Sequence, residues 1–145
     1  MNIERLKRTI KEDEGVRNKA YKDHLGNWTT AVGHLIILPY EDYLIEKKLT
    51  DIEVDQIFIT DLNQAIDDAR KFIDADTIDE LAFEIVINMA FNLGYSRLSK
   101  FVKFQQALKN KDYKLASQEM LNSRWAKQVP NRAGKLSVLM EDINA

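Results

Sequence analysis

The chain of 145 residues has no cysteine, only two histidines, two prolines and five glycines. Without cysteine there is no disulfide framework, no cysteine nucleophile and no Cys-ligated zinc. The two histidines, His24 and His34, have no clustered partners of the kind that metal-binding motifs show, so we expect no metal site. Gly-rich phosphate loops, nucleophile elbows and HExxH helices are also absent.

Long apolar runs and a surplus of one charge are missing as well. No segment has the length of a membrane span, and the first residues, MNIERLKRTIKEDEG, lack the apolar core of a signal peptide. The 21 Lys and Arg against 23 Asp and Glu give a net charge of -2, whereas nucleic-acid binders usually carry a basic surplus. A composition that is 45% hydrophobic and 30% charged is typical of a globular domain, here either one compact body or two small lobes.

Lysines and arginines nevertheless cluster in the last third of the sequence. One group includes Lys100 and Lys103, and a second includes Arg124 and Lys127. The more common interpretation of such clusters is a solvated helix face, and the sharper one is attraction to an anionic polymer.

The first forty residues predict a helix followed by a β-hairpin. Ile3, Leu6 and Ile10 have helical spacing, and Gly15 is a plausible end of that helix. The β-prone runs 20–23 and 28–32 flank turn residues 24–27, and Pro39 marks a break.

The rest of the chain is predicted to be helical. Capping boxes at Thr50–Glu53 and Thr77–Glu80 would open a helix to about residue 73 and an apolar helix over 81–93, ended by Gly94. Further helices are expected near 100–109, 113–122 and 131–142. We expect an α+β, mostly helical fold of one domain, 1–145. Its parts are a β lobe (15–49), a connecting helix (50–73) and a helical lobe (1–14 with 74–145), with a cleft between the lobes.

Two carboxylates on different elements suggest a chemistry. Glu14 ends the first helix and Asp23 lies at the hairpin, so they can face each other across a gap. One protonated and one ionised carboxyl group are the minimal equipment for glycosidic-bond hydrolysis, with a water held by Thr29. Spacing does not distinguish Glu14 from Glu12 or Asp13, and most acidic residues are ordinary surface groups.

Four blocks in order resemble the phage lysozymes (endolysins) of tailed enteric phages, glycoside hydrolase family 24. The blocks are Asp13-Glu14-Gly15 with Tyr21-Lys22-Asp23, Thr29 to His34, Asn88 to Gly94, and Ser123-Arg124-Trp125 with Pro130 to Ala133. They span nearly the whole chain. The resemblance implies a two-lobed lysozyme-like fold.

The resemblance also implies roles for individual residues. Glu14 would be the general acid, Asp23 the carboxylate that works with water, and Thr29 the hydroxyl that positions that water. Arg132 would orient Glu14, while His34 and Asp61 would form a structural ion pair. Leu35 and Phe91 match substrate-contacting positions, and Phe104 offers a stacking surface for a sugar, with the core as the alternative.

The sequence departs from the family at the catalytic strand. An aliphatic residue and a glycine usually follow the threonine, but here Thr30 and Ala31 do. Ala31 would be strained if the backbone needs a positive φ. Glu119 also stands where relatives carry a small or amide side chain.

The function implied is inverting hydrolysis of the β-1,4 bond between N-acetylmuramic acid and N-acetylglucosamine in peptidoglycan, which lyses the host wall. The resemblance implies a monomer without cofactor that does not bind nucleic acid or associate stably with membranes. It would be made in the host cytoplasm and act on the periplasmic wall after a separate holin releases it. The alternatives are a catalytically impaired peptidoglycan binder and a helix-turn-helix DNA-binding module over 79–101.

Overall fold

The computed structural model describes all residues from Met1 to Ala145. It contains seven α-helices and one three-stranded antiparallel sheet, which confirms the α+β, mostly helical class. The elements are α1 Ile3–Glu14, β1 Arg17–Lys22, β2 Trp28–Ala31, β3 His34–Leu35, α2 Asp51–Phe72, α3 Glu80–Leu98, α4 Val102–Lys109, α5 Tyr113–Leu121, α6 Arg124–Gln128 and α7 Pro130–Glu141. None of the helices combines the length and apolar character that crossing a membrane requires.

Cα proximity groups the chain into two compact units. The β unit comprises residues 4–64, and the helical unit comprises residues 1–3 with 65–145. Helix α2 runs through the boundary, so both units contain part of it. The sequence predicts that residues 1–14 belong to the helical lobe, whereas this grouping places nearly all of α1 with the sheet.

The sheet of the β unit has the order β1-β2-β3. Tyr21 on β1 lies opposite Thr29 on β2, and Thr29 lies opposite Leu35 on β3. The predicted hairpin is therefore present, and the short strand β3 adds to it. An irregularity in the register of β1 lies between Arg17 and Tyr21.

The helix starts show one correct and one wrong prediction. At the start of α2 the capping box is formed, with Glu53 N donating to Thr50 Oγ1 (3.1 Å) and Thr50 N donating to Glu53 Oε1 (3.0 Å). The box predicted at Thr77 is wrong, because Asp79 caps α3 by accepting a 2.8 Å hydrogen bond from Leu81 N. Thr77 instead ends a 3-10 turn, where its hydroxyl donates to Asp74 O.

Helix α3 forms the core of the helical unit. Every residue from 82 to 90 is buried, as the apolar sequence predicts. Gly94 interrupts the helix with a φ of 74° and a ψ of 164°, and α6 is a short helix that the periodicity did not predict. Because the helix before Gly94 is buried on all sides, it has no free face to place in a DNA groove. The helix-turn-helix alternative therefore lacks an exposed first helix, and its second helix is reduced to the single turn 95–98.

Candidate active site

Glu14 is held against the turn between β2 and β3. It is the last residue of α1, and Gly15, with a φ of 76°, turns the chain into β1. A Cβ atom built on Gly33 would lie 2.8 Å from Glu14 Cδ, which is closer than real Cβ atoms come to another atom. The carboxyl group of Glu14 therefore occupies the space that a side chain at position 33 would need.

The carboxylate of Asp23 is fixed at the tip of the hairpin. Its Oδ1 accepts hydrogen bonds from Leu25 N (2.9 Å) and Asn27 N (2.8 Å). The strands are closed there by Asp23 N donating to Asn27 O (2.9 Å). Two backbone donors on Oδ1 orient the group, and Oδ2 carries no hydrogen bond within the protein.

Thr29 shares a sheet face with Asp23. Directly paired residues of antiparallel strands project to the same face, and side chains alternate along a strand. Thr29 pairs with Tyr21. Asp23 lies one residue beyond the end of β1, and because Asp23 N donates to Asn27 O, the alternation continues and assigns Asp23 to the face of Tyr21 and Thr29. Thr29 is 6% exposed, and its hydroxyl donates to Asn27 O (3.2 Å), which leaves the hydroxyl oxygen able to accept a hydrogen bond.

The pKa of the Tyr21 phenol depends on the charges of both Glu14 and Asp23. The pKa of Tyr21 is raised, first because the phenol is partly buried. The Arg17 guanidinium, which lies 4.4 Å from the ring centroid, opposes this shift, while the charges of Glu14 and Asp23 add to it. The structure thus brings Glu14 and Asp23, which are nine positions apart in the sequence, into the electrostatic range of one side chain.

Two neighbours of Glu14 were competing candidates. Glu12 is exposed, and Asp13 is partly buried and contacts other groups of the protein. Neither is the carboxyl group that lies against Gly33. The contact with the catalytic strand therefore distinguishes Glu14 from the two acids that precede it.

The strand after Thr29 carries two unusual features. Ala31 is fully buried and has a φ of 53°, the left-handed conformation in which a Cβ atom causes strain. Thr30 is also fully buried, and its hydroxyl has no hydrogen-bond partner within the protein. The strain expected at Ala31 is thus present, and a buried polar group adjoins it.

His34 joins β3 to α2 and to the loop that follows β3. Its Nδ1 lies 2.8 Å from Asp61 Oδ2, the contact that the family resemblance implies. Its Nε2 lies 3.0 Å from Glu41 Oε1, a partner that the sequence pattern does not predict. The same Glu41 oxygen accepts a hydrogen bond from Ile37 N (2.9 Å). The hydrogen bond to Asp61, and then the contact with Glu41, raise the pKa of His34 to about 9 against the opposing effect of burial.

Arg132 belongs to the helical unit. It is 7% exposed, and its Nε donates to Asn88 Oδ1 on α3 (2.8 Å). Near it, Trp125 Nε1 donates to Asn92 Oδ1 (2.7 Å), which ties α6 to the residues just before Gly94. Arg132 is therefore a buried cation with an anchored guanidinium rather than a surface charge.

The three expected substrate contacts have different environments. Leu35 is 55% exposed on β3, and Phe91 is partly buried on α3. Phe104 is 1% exposed and packs against Phe72 and Phe101, with ring centroids 6.0 and 6.2 Å apart. A ring enclosed in this way offers no face to a sugar, so the prediction for Phe104 is wrong and the residue belongs to the core.

The site offers two carboxyl groups, those of Glu14 and Asp23, and a pair of carboxyl groups is what glycoside hydrolases use. No group of three or more His, Cys, Asp or Glu side chains is arranged to hold a metal ion. The class that these features define is an acid–base hydrolase of glycosidic bonds.

Comparison with known proteins gives the family. A family model described as phage lysozyme matches residues 11–141, so the chain belongs to the phage lysozyme family. Two similar proteins of Dictyostelium discoideum are "Probable T4-type lysozyme 1" and "Probable T4-type lysozyme 2", at 27% and 29% identity. Each alignment covers 96% of this chain and 95% of the relative. The protein is accordingly an enzyme of the muramidase class, a peptidoglycan hydrolase.

Proposed function

We propose that the enzyme cleaves the β-1,4 bond between N-acetylmuramic acid and N-acetylglucosamine with inversion at the anomeric carbon. Glu14 donates a proton to the leaving oxygen, and Asp23 activates a water on the opposite face of the sugar. The observation that carries the proposal is the placement of Glu14 against Gly33, beside the sheet whose common face includes Thr29 and Asp23.

The environments of the two carboxyl groups suit these different roles. Asp23 accepts two backbone hydrogen bonds, which hold its carboxylate in one orientation. Its Oδ2 is available to a water molecule, whose second contact is the Thr29 oxygen. The Thr29 proton is already donated to Asn27 O, so this oxygen orients the water by accepting from it.

The remaining roles rest on the family resemblance. Leu35 pairs with Thr29 across β2 and β3 and is exposed, which suits contact with the glycan. Phe91 as a glycan contact and Arg132 as the residue that orients Glu14 stay predictions. For Arg132, the anchoring hydrogen bond to Asn88 supplies the fixed geometry that such a role needs.

Hydrolysis of purified peptidoglycan by Glu14→Gln tests the acid. Glutamine keeps the size of the side chain but cannot donate the proton, so we expect the release of reducing ends to fall by at least about 100-fold. Glu12→Gln removes one exposed carboxylate two residues earlier and should keep the parent rate. Equal losses in both variants would contradict the assignment. A parent protein that binds the wall without cleaving it would instead support the impaired-binder alternative.

The stereochemistry has its own test. Inverting enzymes need room for water between the carboxyl groups, roughly 6.5–9.5 Å, and release the anomer opposite to that of the bond cleaved. Proton NMR of the first product from a chitooligosaccharide or peptidoglycan fragment should show the α-anomer before mutarotation. Initial accumulation of the β-anomer would refute inversion while leaving hydrolysis intact.

We further propose that the protein lyses the host wall from the periplasmic side after a separate holin releases it from the cytoplasm. The support for this proposal is that the chain belongs to the phage lysozyme family. Co-expression in bacteria tests this proposal: culture turbidity should fall only when the enzyme and a holin are induced together. Equally rapid lysis by the enzyme expressed without a holin would show another route to the wall.

A further inference from the structure

The helical unit contains a cavity of about 750 Å³ in which positive charge is concentrated. Its wall includes four cations, Arg97, Lys100, Lys103 and Arg124, and a single acid, Glu119. All four cations are exposed, and none forms an ion pair within the protein. The free positive charge therefore faces solvent around a concave surface.

This concentration of charge is not a general property of the chain. Residues 93–135 contain ten Lys and Arg but only two Asp and Glu, in a protein whose net charge is -2. A volume near 750 Å³ lies within the range of roughly 300–1,000 Å³ that small-ligand sites occupy, so it exceeds what one ion needs. The cavity suits several linked anionic groups.

The polar side chains around the cations indicate which chemical groups connect the anionic groups of the ligand. Asn122 and Gln128 are exposed amides at the same cavity, and they can both donate to and accept from hydroxyl groups. Partly buried Phe101 adds an apolar wall. Compact ammonium groups and planar guanidinium groups both bind phosphate oxygens well.

We propose that this cavity binds a phosphodiester-linked polyol or sugar polymer of the cell envelope, through the phosphates at the four cations and the hydroxyls at the two amides. Each repeat of such a polymer carries one permanently ionised phosphate, so successive repeats meet cations from α3, α4, α6 and the segment joining α3 to α4. The inference rests on the proposed function in one respect, namely that the enzyme acts at the cell envelope, where such a polymer occurs. Binding there would hold the enzyme on walls that carry the polymer.

Calorimetric titration with a short poly(glycerol phosphate) oligomer is the first experiment. We expect Lys100→Gln with Lys103→Gln to weaken binding by about tenfold or more, because two phosphate contacts are lost. The matched control is Lys109→Gln with Lys114→Gln, which removes the same charge from exposed lysines outside the cavity and should change the Kd less than twofold. No binding by the parent, or equal losses in the two double variants, overturns the proposal.

Titrations with two other polyanions test whether the cavity selects the phosphate polymer over other anionic polymers. Polyglutamate of equal charge should bind at least several-fold more weakly than the phosphate oligomer. Oligo-dT should also compete at least several-fold more weakly for the lysine-dependent site, because its chain carries phosphates but no free hydroxyl groups for the two amides. If polyglutamate binds equally well, the cavity selects charge rather than phosphate. If oligo-dT binds as tightly through Lys100 and Lys103, the site accepts nucleic acid. Either result overturns the assignment.

Hydrolysis assays separate this inference from the proposed reaction. On peptidoglycan stripped of phosphate polymers, the Lys100/Lys103 variant should match the parent. On walls that retain the polymer, it should be slower than the parent at low enzyme concentration. Equal rates of the two proteins on polymer-bearing walls contradict a retention role. A parent that binds the oligomer but cleaves neither wall refutes the proposed reaction and leaves the binding site standing.

Discussion

At the scale of single residues, Gly33 is the position on which the placement of the acid depends. An added Cβ atom would approach Glu14 Cδ to 2.8 Å, and the φ of 63° would strain any L-residue. We expect Gly33→Ala to displace the carboxyl group and lower peptidoglycan hydrolysis by about 100-fold, since small errors in placement have large catalytic effects.

Gly26→Ala is the matched control for Gly33→Ala. Its φ of 82° imposes similar backbone strain, but an added Cβ atom at Gly26 meets no atom within 4 Å. Both variants should lose about 1 kcal/mol of unfolding free energy, and only Gly33→Ala should lose turnover. Similar turnover losses would mean that strain in the β unit, rather than contact with Glu14, sets the rate.

Ala31 is strained in the native structure and should be improved by glycine. At a φ of 53° the Cβ atom destabilises the left-handed conformation by about 1–2 kcal/mol, which exceeds the added chain entropy of glycine. Ala31→Gly should therefore raise the Tm by about 2 °C in a thermal melt. Ala20→Gly on β1, where φ is not positive, should lower it. A lower Tm for Ala31→Gly would show that packing of the buried methyl group outweighs the strain.

At the scale of elements, His34 links β3, α2 and the loop containing Glu41 by charge. The pKa of His34 rises from 6.5 to about 9 on folding, so its protonated form stabilises the native state fully below pH 6.5. That stabilisation is lost as the pH rises from 6.5 through 9. After allowance for solvent screening, we expect on the order of 1–2 kcal/mol over this window.

Urea unfolding between pH 6 and 10 measures the His34 contribution. His34→Gln should flatten the fall in unfolding free energy, while a substitution of exposed His24, His24→Gln, should preserve it. Glu41→Gln should reduce the fall in part, because Asp61 remains in contact with the ring. A pH profile unchanged by His34→Gln would assign the fall to other groups.

At the scale of the whole molecule, charge is separated along the chain although the total is small. The surplus of basic residues in 93–135 is balanced by acids elsewhere, giving the net charge of -2. Binding to anionic walls should therefore depend on this region and weaken with salt, because exposed charges are screened beyond roughly 10 Å at 0.1 M ionic strength.

Co-sedimentation of the Glu14→Gln variant with purified walls measures the salt effect without hydrolysis. The bound fraction should fall severalfold between 50 and 300 mM NaCl. Cleavage of a soluble neutral chitooligosaccharide by the parent serves as the control, and its rate should change little over the same range. Wall binding that does not respond to salt would assign attachment to apolar or hydrogen-bonding contacts.

Patterns local in sequence were predictable to a large extent. Helix α1 ends at Glu14 before Gly15, the capping box at Thr50 is formed, and α3 breaks at Gly94, because each depends on groups a few residues apart. The cap of α3 was misplaced, since Asp79 and Thr77 are both competent acceptors and sequence does not rank them. The short helix α6 falls below the length at which periodicity can be read.

The sequence by itself determined the fold class, the main helices and, through its resemblance to a family, the residues proposed for catalysis. Only the tertiary structure decided that Glu14 rather than Glu12 or Asp13 lies against Gly33, that Glu41 is a second partner of His34, and that Phe104 is core. It also assembled the cations around one cavity of the helical unit. The reason is physical: helix propensity and capping act over a few residues, whereas burial, strain and ion pairing depend on groups far apart in the chain.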